Sequence, residues 1–166
     1  MGYQSPELRG VGGWLAFFLV TLGVFTPLSA VVLLFQIFTS PEIVASFGTY
    51  WPSIRTCYLV LNGAIVAIAW FVAWRLIFVQ RWTSVRIAIA GLWAIGLLPN
   101  LVELIAISMI TGVPLGTLLN NGGYQLFQPL IYSAIWTAYL LQSARVWNTY
   151  PRDDADDGED LASVFE

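Results

Sequence analysis

The chain has 166 residues, of which 58% are hydrophobic and only 10% charged, and its mean hydropathy is +0.73. Soluble domains are about 45–50% apolar, so this composition favours a membrane protein over a water-exposed globule. The chain has no histidine and no lysine, and its only cysteine is Cys57. Histidine-ligated haem, HExxH zinc sites, Ser-His-Asp triads and lysine Schiff bases therefore lack their residues, and we predict no catalytic, cofactor-binding or metal-ligating residue.

Charge is distributed unevenly along the chain. The formal net charge is −3, but seven of the ten acidic residues lie within the last fourteen residues, so the remainder is mildly basic. We therefore divide the chain into a membrane domain, residues 1–150, and a flexible acidic cytoplasmic tail, residues 151–166. The seven arginines form no basic stripe, so no nucleic-acid partner is predicted.

The first apolar run, residues 14–38, is long enough to cross a bilayer, since a spanning helix needs about 20 apolar residues. Pro27 near its middle predicts a kink, because proline removes a backbone donor. The connector that follows, residues 39–57, begins with Ser40-Pro-Glu, which is typical of a helix N-terminus, and Gly48 is typical of a helix end. These residues predict a short helix at the membrane interface.

Three further apolar segments predict the second, third and fourth spans, at residues 58–79, 87–110 and 124–147. Between the second and third spans lies a tight basic turn, residues 80–86. Pro99 in the third span predicts a second bend. The segment 111–123 carries no charge and holds an Asn-Asn-Gly-Gly sequence, so it is either a simple loop or a shallow re-entrant piece.

Together these elements predict an all-α fold. The expected architecture is a four-helix transmembrane bundle with a short interfacial helix in the first outer loop. In such a bundle six arginines lie on one side and only Arg55 lies on the other. The positive-inside rule then places both termini and the 80–86 turn in the cytoplasm, an N-in/C-in topology.

Glu103 is the only carboxylate in a long apolar run of this chain, and inserting a charge there costs at least ~2.5 kcal/mol. Helical spacing places it on one face with Trp93, Gly96, Asn100 and Ile107, and we expect this face to point at other helices. Every span brings a polar side chain towards the outer half of the bundle. We hypothesise one intramembrane polar cluster there, formed by Glu103, Asn100, Asn62, Tyr132, Gln128 and Arg55.

This cluster has two interpretations. In the first it is a proton-titrating or cation-binding site open to the outside, as ionisable residues within membranes often are. In the second, which we favour, Glu103 is protonated or paired with Arg55 or Asn62 and only fixes the packing of the helices. A single carboxylate without a relay of others is a weak signal for a transporter.

Two segments of the chain carry a family resemblance. The opening LRGVGGWL, residues 8–15, and the ending IWTAYLLQSARVWNTY, residues 135–150, resemble the GIGGWL-type start and the W-x-x-Y-x-x-x-S-x-R-V-x-x-T-aromatic end of one bacterial membrane family, the domain of unknown function 2569. Ala144 and Trp147 stand where that family usually has basic residues. The resemblance implies a four-helix protein of the bacterial inner membrane without an established activity.

We therefore interpret the chain as a non-enzymatic, multi-pass inner-membrane protein. We expect an accessory or assembly subunit whose partners are the lipid bilayer and other membrane subunits, or further copies of itself. The alternative is a small oligomeric transporter or channel with a titratable site at Glu103. A subunit should lose its partner when exposed aromatic residues or the tail are changed, whereas a transporter should depend on Glu103 and on external pH.

Overall fold

The structure, a computed structural model, describes residues 10–122 and 127–151, the side chains of residues 121 and 122 excepted. Within those ranges all regular structure is helical, as predicted. Three helical stretches there are long and apolar enough to cross a membrane, and they are Trp14–Thr39, Pro41–Phe78 and Trp82–Thr111. In the predicted fourth span the described helix has 16 residues, so the count of four stays a prediction. The acidic tail from residue 152 onwards lies outside the described residues.

The first span is disturbed around Pro27, as predicted. It consists of three consecutive segments, namely α1 at Trp14–Val20, a π-helical turn at Thr21–Phe25 and α2 at Thr26–Thr39. Pro27 has no N–H to offer the carbonyl of Gly23, four residues earlier. That carbonyl instead accepts a hydrogen bond from Nε1 of Trp70 at 3.1 Å. A tryptophan of the next span thus satisfies the group that the proline leaves unpaired.

The connector after the first span matches the prediction at its start and differs at its end. Helix α3, Pro41–Phe47, begins at the predicted proline and ends at Gly48, whose φ of 49° glycine adopts without strain. A single 3-10 turn leads into α4, Trp51–Phe78. Helix α4 begins before the predicted second span, and Pro52 lies in its first turn, where a missing N–H breaks no hydrogen bond.

The basic turn between the second and third spans is shorter than predicted. Helix α5, Trp82–Gly96, already includes Arg86, so the turn does not extend over residues 80–86. The hydroxyl of Ser84 donates to the carbonyl of Val79 at 2.7 Å, which ties the first turn of α5 to the end of the preceding helix.

The third span is interrupted near Pro99, where the sequence predicts a bend. Helix α6, Leu98–Thr111, follows α5 after an interruption at Leu97. The side chain of Asn100 donates Nδ2 to the carbonyl of Gly96 at 2.8 Å and so stabilises the backbone across the interruption. Because α5 and α6 are separate helices, the residues before and after Leu97 can face different neighbours.

The uncharged segment after α6 contains a helix, so the prediction of a simple loop is wrong. Gly112 ends α6 with a left-handed φ of 74°, and α7 then spans Leu115–Gly122. Pro114 starts this helix, since its carbonyl accepts the N–H groups of Thr117 and Leu118. Two asparagines and a glycine of the Asn-Asn-Gly-Gly sequence, residues 120–122, form the last turn of α7. The re-entrant alternative stays a prediction.

The last part of the described chain consists of two helices where one was predicted. Helix α8, Phe127–Gln142, ends at Ser143, whose ψ of 121° is extended, and α9 spans Ala144–Thr149. The hydroxyl of Tyr150, which is fully buried, donates to the carbonyl of Leu76 at 2.6 Å. This bond fixes the end of α9 against α4.

The two segments that carry the family resemblance contact each other. The backbone N–H of Gly10 donates to Oγ1 of Thr149 at 3.0 Å. The guanidinium of Arg145 passes so close to Gly12 that a Cβ atom there would lie 2.6 Å from Nη1. The opening and ending motifs therefore form a single structural unit, in which glycine leaves room for the arginine.

The hydrophobic core lies in the half of the bundle that holds this unit. Its buried side chains come from α1, α4, α5, α8 and α9, and they include Phe18, Leu76 and Leu140. In the other half, α6 has no buried residue and α2 has only Ala30 and Ile37. This second half is packed more loosely and contains the cavities described below.

Candidate functional site

A groove of about 1240 Å³ lies between α2 and α8, beside the start of α6. Helix α2 packs against α4 and helix α8 packs against α5, which leaves space between α2 and α8. None of the lining residues is buried, and they include Leu28, Val32, Gln36, Phe127, Gln128 and Ile131. We call this cavity the outer groove.

A second cavity of about 460 Å³ continues from the outer groove towards the centre of the bundle. The two cavities share the residues Ser29, Leu33, Asn100, Gln128 and Pro129. The second cavity also reaches buried residues, among them Leu22, Asn62 and Leu92. We call it the inner recess.

Four of the six residues of the predicted polar cluster line the inner recess, namely Asn62, Asn100, Gln128 and Tyr132. They come from three helices, and Thr21, Thr26 and Ser29 of the first span add hydroxyl groups. Within the described ranges neither cavity is lined by an acidic or basic side chain. The recess is therefore an uncharged, hydrogen-bonding site with apolar walls.

Asn62 is the most enclosed polar side chain of the recess, with 6% of its surface exposed. Its Nδ2 donates to the carbonyl of Tyr58, one turn earlier, at 2.9 Å. Because a carbonyl can only accept, this bond fixes the orientation of the carboxamide and places Oδ1 on the other side. No residue in the described part of the chain donates to that Oδ1. The recess thus contains an acceptor, on a buried side chain, that has no donor from the described protein.

Asn100 shows a similar arrangement on another wall of the recess. Its Nδ2 is bonded to the carbonyl of Gly96, which leaves its Oδ1 available. Gly96 itself lies against α8, and a Cβ atom there would be 2.8 Å from Oγ of Ser133. The hydroxyl of Ser133 donates to the carbonyl of Leu92 at 3.2 Å. Close contact of α5 with α8 therefore fixes the backbone from which Asn100 projects.

Glu103 lies outside both cavities. Its Oε1 accepts a hydrogen bond of 2.5 Å from the hydroxyl of Tyr58, and this bond joins α6 to α4. Tyr58 replaces the expected partners, since Arg55 is exposed and lies 5.0 Å from the ring centre of Phe38, and Asn62 is bonded to backbone. One sequence signal could have indicated Tyr58, because it lies one helical turn before Asn62 on the same face.

The polar face predicted on the third span points at other helices, but at two different ones. Trp93 in α5 donates Nε1 to Oγ1 of Thr137 in α8 at 3.2 Å. Glu103 in α6 contacts Tyr58 in α4. The predicted cluster is accordingly divided into the residues of the recess and the Glu103–Tyr58 pair, and Arg55 belongs to neither.

The chemistry of the recess follows from its side chains. Carboxamides, hydroxyls and a phenol donate and accept hydrogen bonds and carry no charge at neutral pH. In the part of the chain that the structure describes, no three His, Cys, Asp or Glu side chains come together. The recess is suited to holding an uncharged polar group by hydrogen bonds.

Comparison with known proteins gives one match. A family model described as Protein of unknown function (DUF2569) matches residues 8–151, a range that includes both the opening and the ending motif. No curated protein and no solved structure matches the chain.

Proposed function

The chain belongs to the DUF2569 family, as its opening and ending motifs predicted, and we propose that it is a non-enzymatic accessory subunit of the bacterial inner membrane. In this proposal the protein has four spans with both termini in the cytoplasm, and it packs against a transmembrane helix of a partner protein. The partner helix lies along the outer groove. The observation that carries the proposal is the space between α2 and α8, two helices that each pack on other helices.

The walls of the outer groove offer a transmembrane helix both apolar contacts and hydrogen bonds. Val32 on one wall is 46% exposed, and Phe127 and Ile131 on the other are 64% and 58% exposed. In a bilayer, helices associate through close packing and interhelical hydrogen bonds, because lipid is as apolar as their side chains. A helix in the groove would contact both walls, and Gln36 and Gln128 would offer it hydrogen bonds.

The alternative function, a small oligomeric transporter or channel using Glu103, has less support. Glu103 lies outside both cavities, and its carboxyl group is bonded to Tyr58. A path for ions or protons needs titratable or coordinating groups along it, and the described lining of the cavities has no charged side chain. A flux assay of Glu103→Gln separates the two functions, because only the transporter needs the carboxyl group.

The subunit proposal is tested with a matched pair of variants on α2. The tagged protein is purified from its native membrane in a gentle detergent, and bound proteins are identified by mass spectrometry. Val32→Trp adds bulk to one wall of the outer groove, whereas Val31→Trp places the same bulk at a position that does not line it, although Val31 is 64% exposed. We expect a stoichiometric membrane protein to accompany the wild type and Val31→Trp but to be lost from Val32→Trp.

Other outcomes of this purification would contradict the subunit proposal. A clean homo-oligomer that transports a solute in a manner dependent on Glu103 would favour the transporter. A partner retained equally by both tryptophan variants would show that the outer groove is not the contact surface. Deletion of the tail, residues 151–166, then tests whether the partner is held by the acidic segment instead.

The proposed topology is tested separately by cysteine labelling. In a Cys57→Ser background, Ser53→Cys and Gln80→Cys introduce single cysteines at two exposed positions at opposite ends of α4. With a membrane-impermeant maleimide, the first should be labelled from the periplasm and the second only after the inner membrane is opened. The reverse pattern would contradict the orientation inferred from the arginines.

A further inference from the structure

We propose that the inner recess binds an uncharged lipid-like alcohol, with its hydroxyl group at Asn62 and its apolar chains in the outer groove. This site goes beyond the subunit function and belongs to the isolated protein, in which no partner helix occupies the outer groove. The groove and the recess share five lining residues, so a ligand in the recess has a continuous path from the bilayer.

The polar groups of the recess define the head group of the ligand. Burying a charge without a partner is very costly, and the described residues supply no countercharge here. The ligand head is therefore uncharged. Oδ1 of the buried side chain Asn62 has no donor among the described residues, and neither has Oδ1 of the half-buried Asn100. An acceptor needs a donor, so an ester or ketone alone does not satisfy it, whereas a hydroxyl does.

The size and walls of the recess define the rest of the ligand. Its volume of about 460 Å³ falls in the range of small-molecule sites, about 300–1000 Å³. Phe25, Ile65 and Leu92 give it apolar walls around the polar groups. The outer groove adds apolar side chains such as Leu28 and Val32 along the way to the bilayer. A diacylglycerol-like molecule, with one free hydroxyl and two acyl chains, fits this combination.

The test compares two probes that differ in one hydroxyl group. 1,2-Dioctanoylglycerol carries a free hydroxyl, and propane-1,2-diol dioctanoate has the same two esters with a hydrogen atom in place of that hydroxyl. Binding to the purified protein in detergent is measured by isothermal titration calorimetry. We expect the alcohol to bind about tenfold more tightly, since leaving a buried polar group unsatisfied has a cost of this order. Equal affinities for the two probes would overturn the proposal.

Three variants locate the site. Asn62→Leu should remove the preference for the alcohol, whereas Gln36→Leu, which changes a polar residue of the outer groove alone, should retain it. Because Asn62 also bonds within its own helix, thermal unfolding checks that this variant is folded. Ser29→Phe, at an exposed position shared by both cavities, leaves Asn62 in place and should weaken both probes.

The remaining outcomes also decide the question. A preference for the alcohol that survives in Asn62→Leu, or undiminished binding to Ser29→Phe, would place the ligand elsewhere and overturn the proposal. Tighter binding of dioctanoyl phosphatidic acid than of the alcohol would show that a charged head group is preferred, against the uncharged lining. All these measurements use the isolated protein, so they remain decisive even if no partner subunit is found.

Discussion

The hydrogen bond between Tyr58 and Glu103 gives the most direct prediction, because it joins α4 to α6 through two side chains. The bond is 2.5 Å long, and both side chains are partly buried. We consider Tyr58→Phe, Glu103→Leu and the double variant, together with Glu103→Gln, which keeps an acceptor for the hydroxyl. Tyr58→Phe and Glu103→Leu each remove one partner and leave the other without its hydrogen bond, whereas the double change leaves no polar group behind.

The expected magnitudes follow from this asymmetry. Hydrogen bonds to charged groups contribute about 1.5–3 kcal/mol, and hydrogen bonds between membrane helices average ~0.6 kcal/mol with a maximum near ~1.7. Tyr58→Phe should therefore lower the free energy of unfolding by about 1–2 kcal/mol, and Glu103→Leu by a similar amount. The double variant should lose clearly less than the sum of the two, with a coupling of about 1 kcal/mol. Glu103→Gln should be the mildest of the changes.

The assay is reversible unfolding in detergent followed by circular dichroism, with all variants measured at one pH. Tyr50→Phe serves as the control, since Tyr50 is an exposed tyrosine at the same end of α4 and makes no side-chain hydrogen bond to a described residue. This control should change the free energy of unfolding by less than about 0.5 kcal/mol. Additive effects of Tyr58→Phe and Glu103→Leu would refute the argument that the pair stabilises the fold through this bond.

Two further predictions concern packing and pH. Gly91→Ala should destabilise the protein by about 1–3 kcal/mol, because its Cβ would lie 2.6 Å from Cγ2 of Val72. A Cβ at Gly63 would meet nothing within 4 Å, so Gly63→Ala should stabilise its helix by up to about 1 kcal/mol. Equal shifts of the two variants in thermal unfolding would contradict this expectation. Burial raises the pKa of Tyr150 to about 12, so between about pH 10 and that value the folded state holds a proton that the unfolded state loses, and stability falls as the pH rises. Tyr150→Phe, which also removes the bond to Leu76, should flatten this decline in an alkaline unfolding series, and an unchanged profile would disprove the assignment.

Several features of this protein could be predicted from the sequence because they depend on local chemistry. Hydrophobic composition and run length indicated membrane helices, and three helices long and apolar enough to cross a membrane are present. Ser40-Pro-Glu and Gly48 defined α3, since N-terminal proline and a positive-φ glycine act within one or two turns. Pro27 and Pro99 indicated the two disturbed helices. The opening and ending motifs identified the family.

Other features were decided by tertiary structure, because they depend on which helices pack together. Periodicity placed Glu103 on a polar face, but the interruption at Leu97 and the packing of α6 on α4 gave it Tyr58 as a partner. The Asn-Asn-Gly-Gly sequence predicted no helix in this segment, whereas the structure has α7, which packs against α6.

The division of the polar residues between the inner recess and the separate Tyr58–Glu103 pair likewise has a tertiary cause. The sequence determined that Asn62, Asn100, Gln128 and Tyr132 would lie in apolar segments, since each is flanked by residues that favour lipid or a core. Only the packing of α2 on α4 and of α8 on α5 decided that these side chains would surround one cavity. Helical periodicity fixes the face on which a residue lies, whereas the space between two helices depends on how close their neighbours allow them to approach.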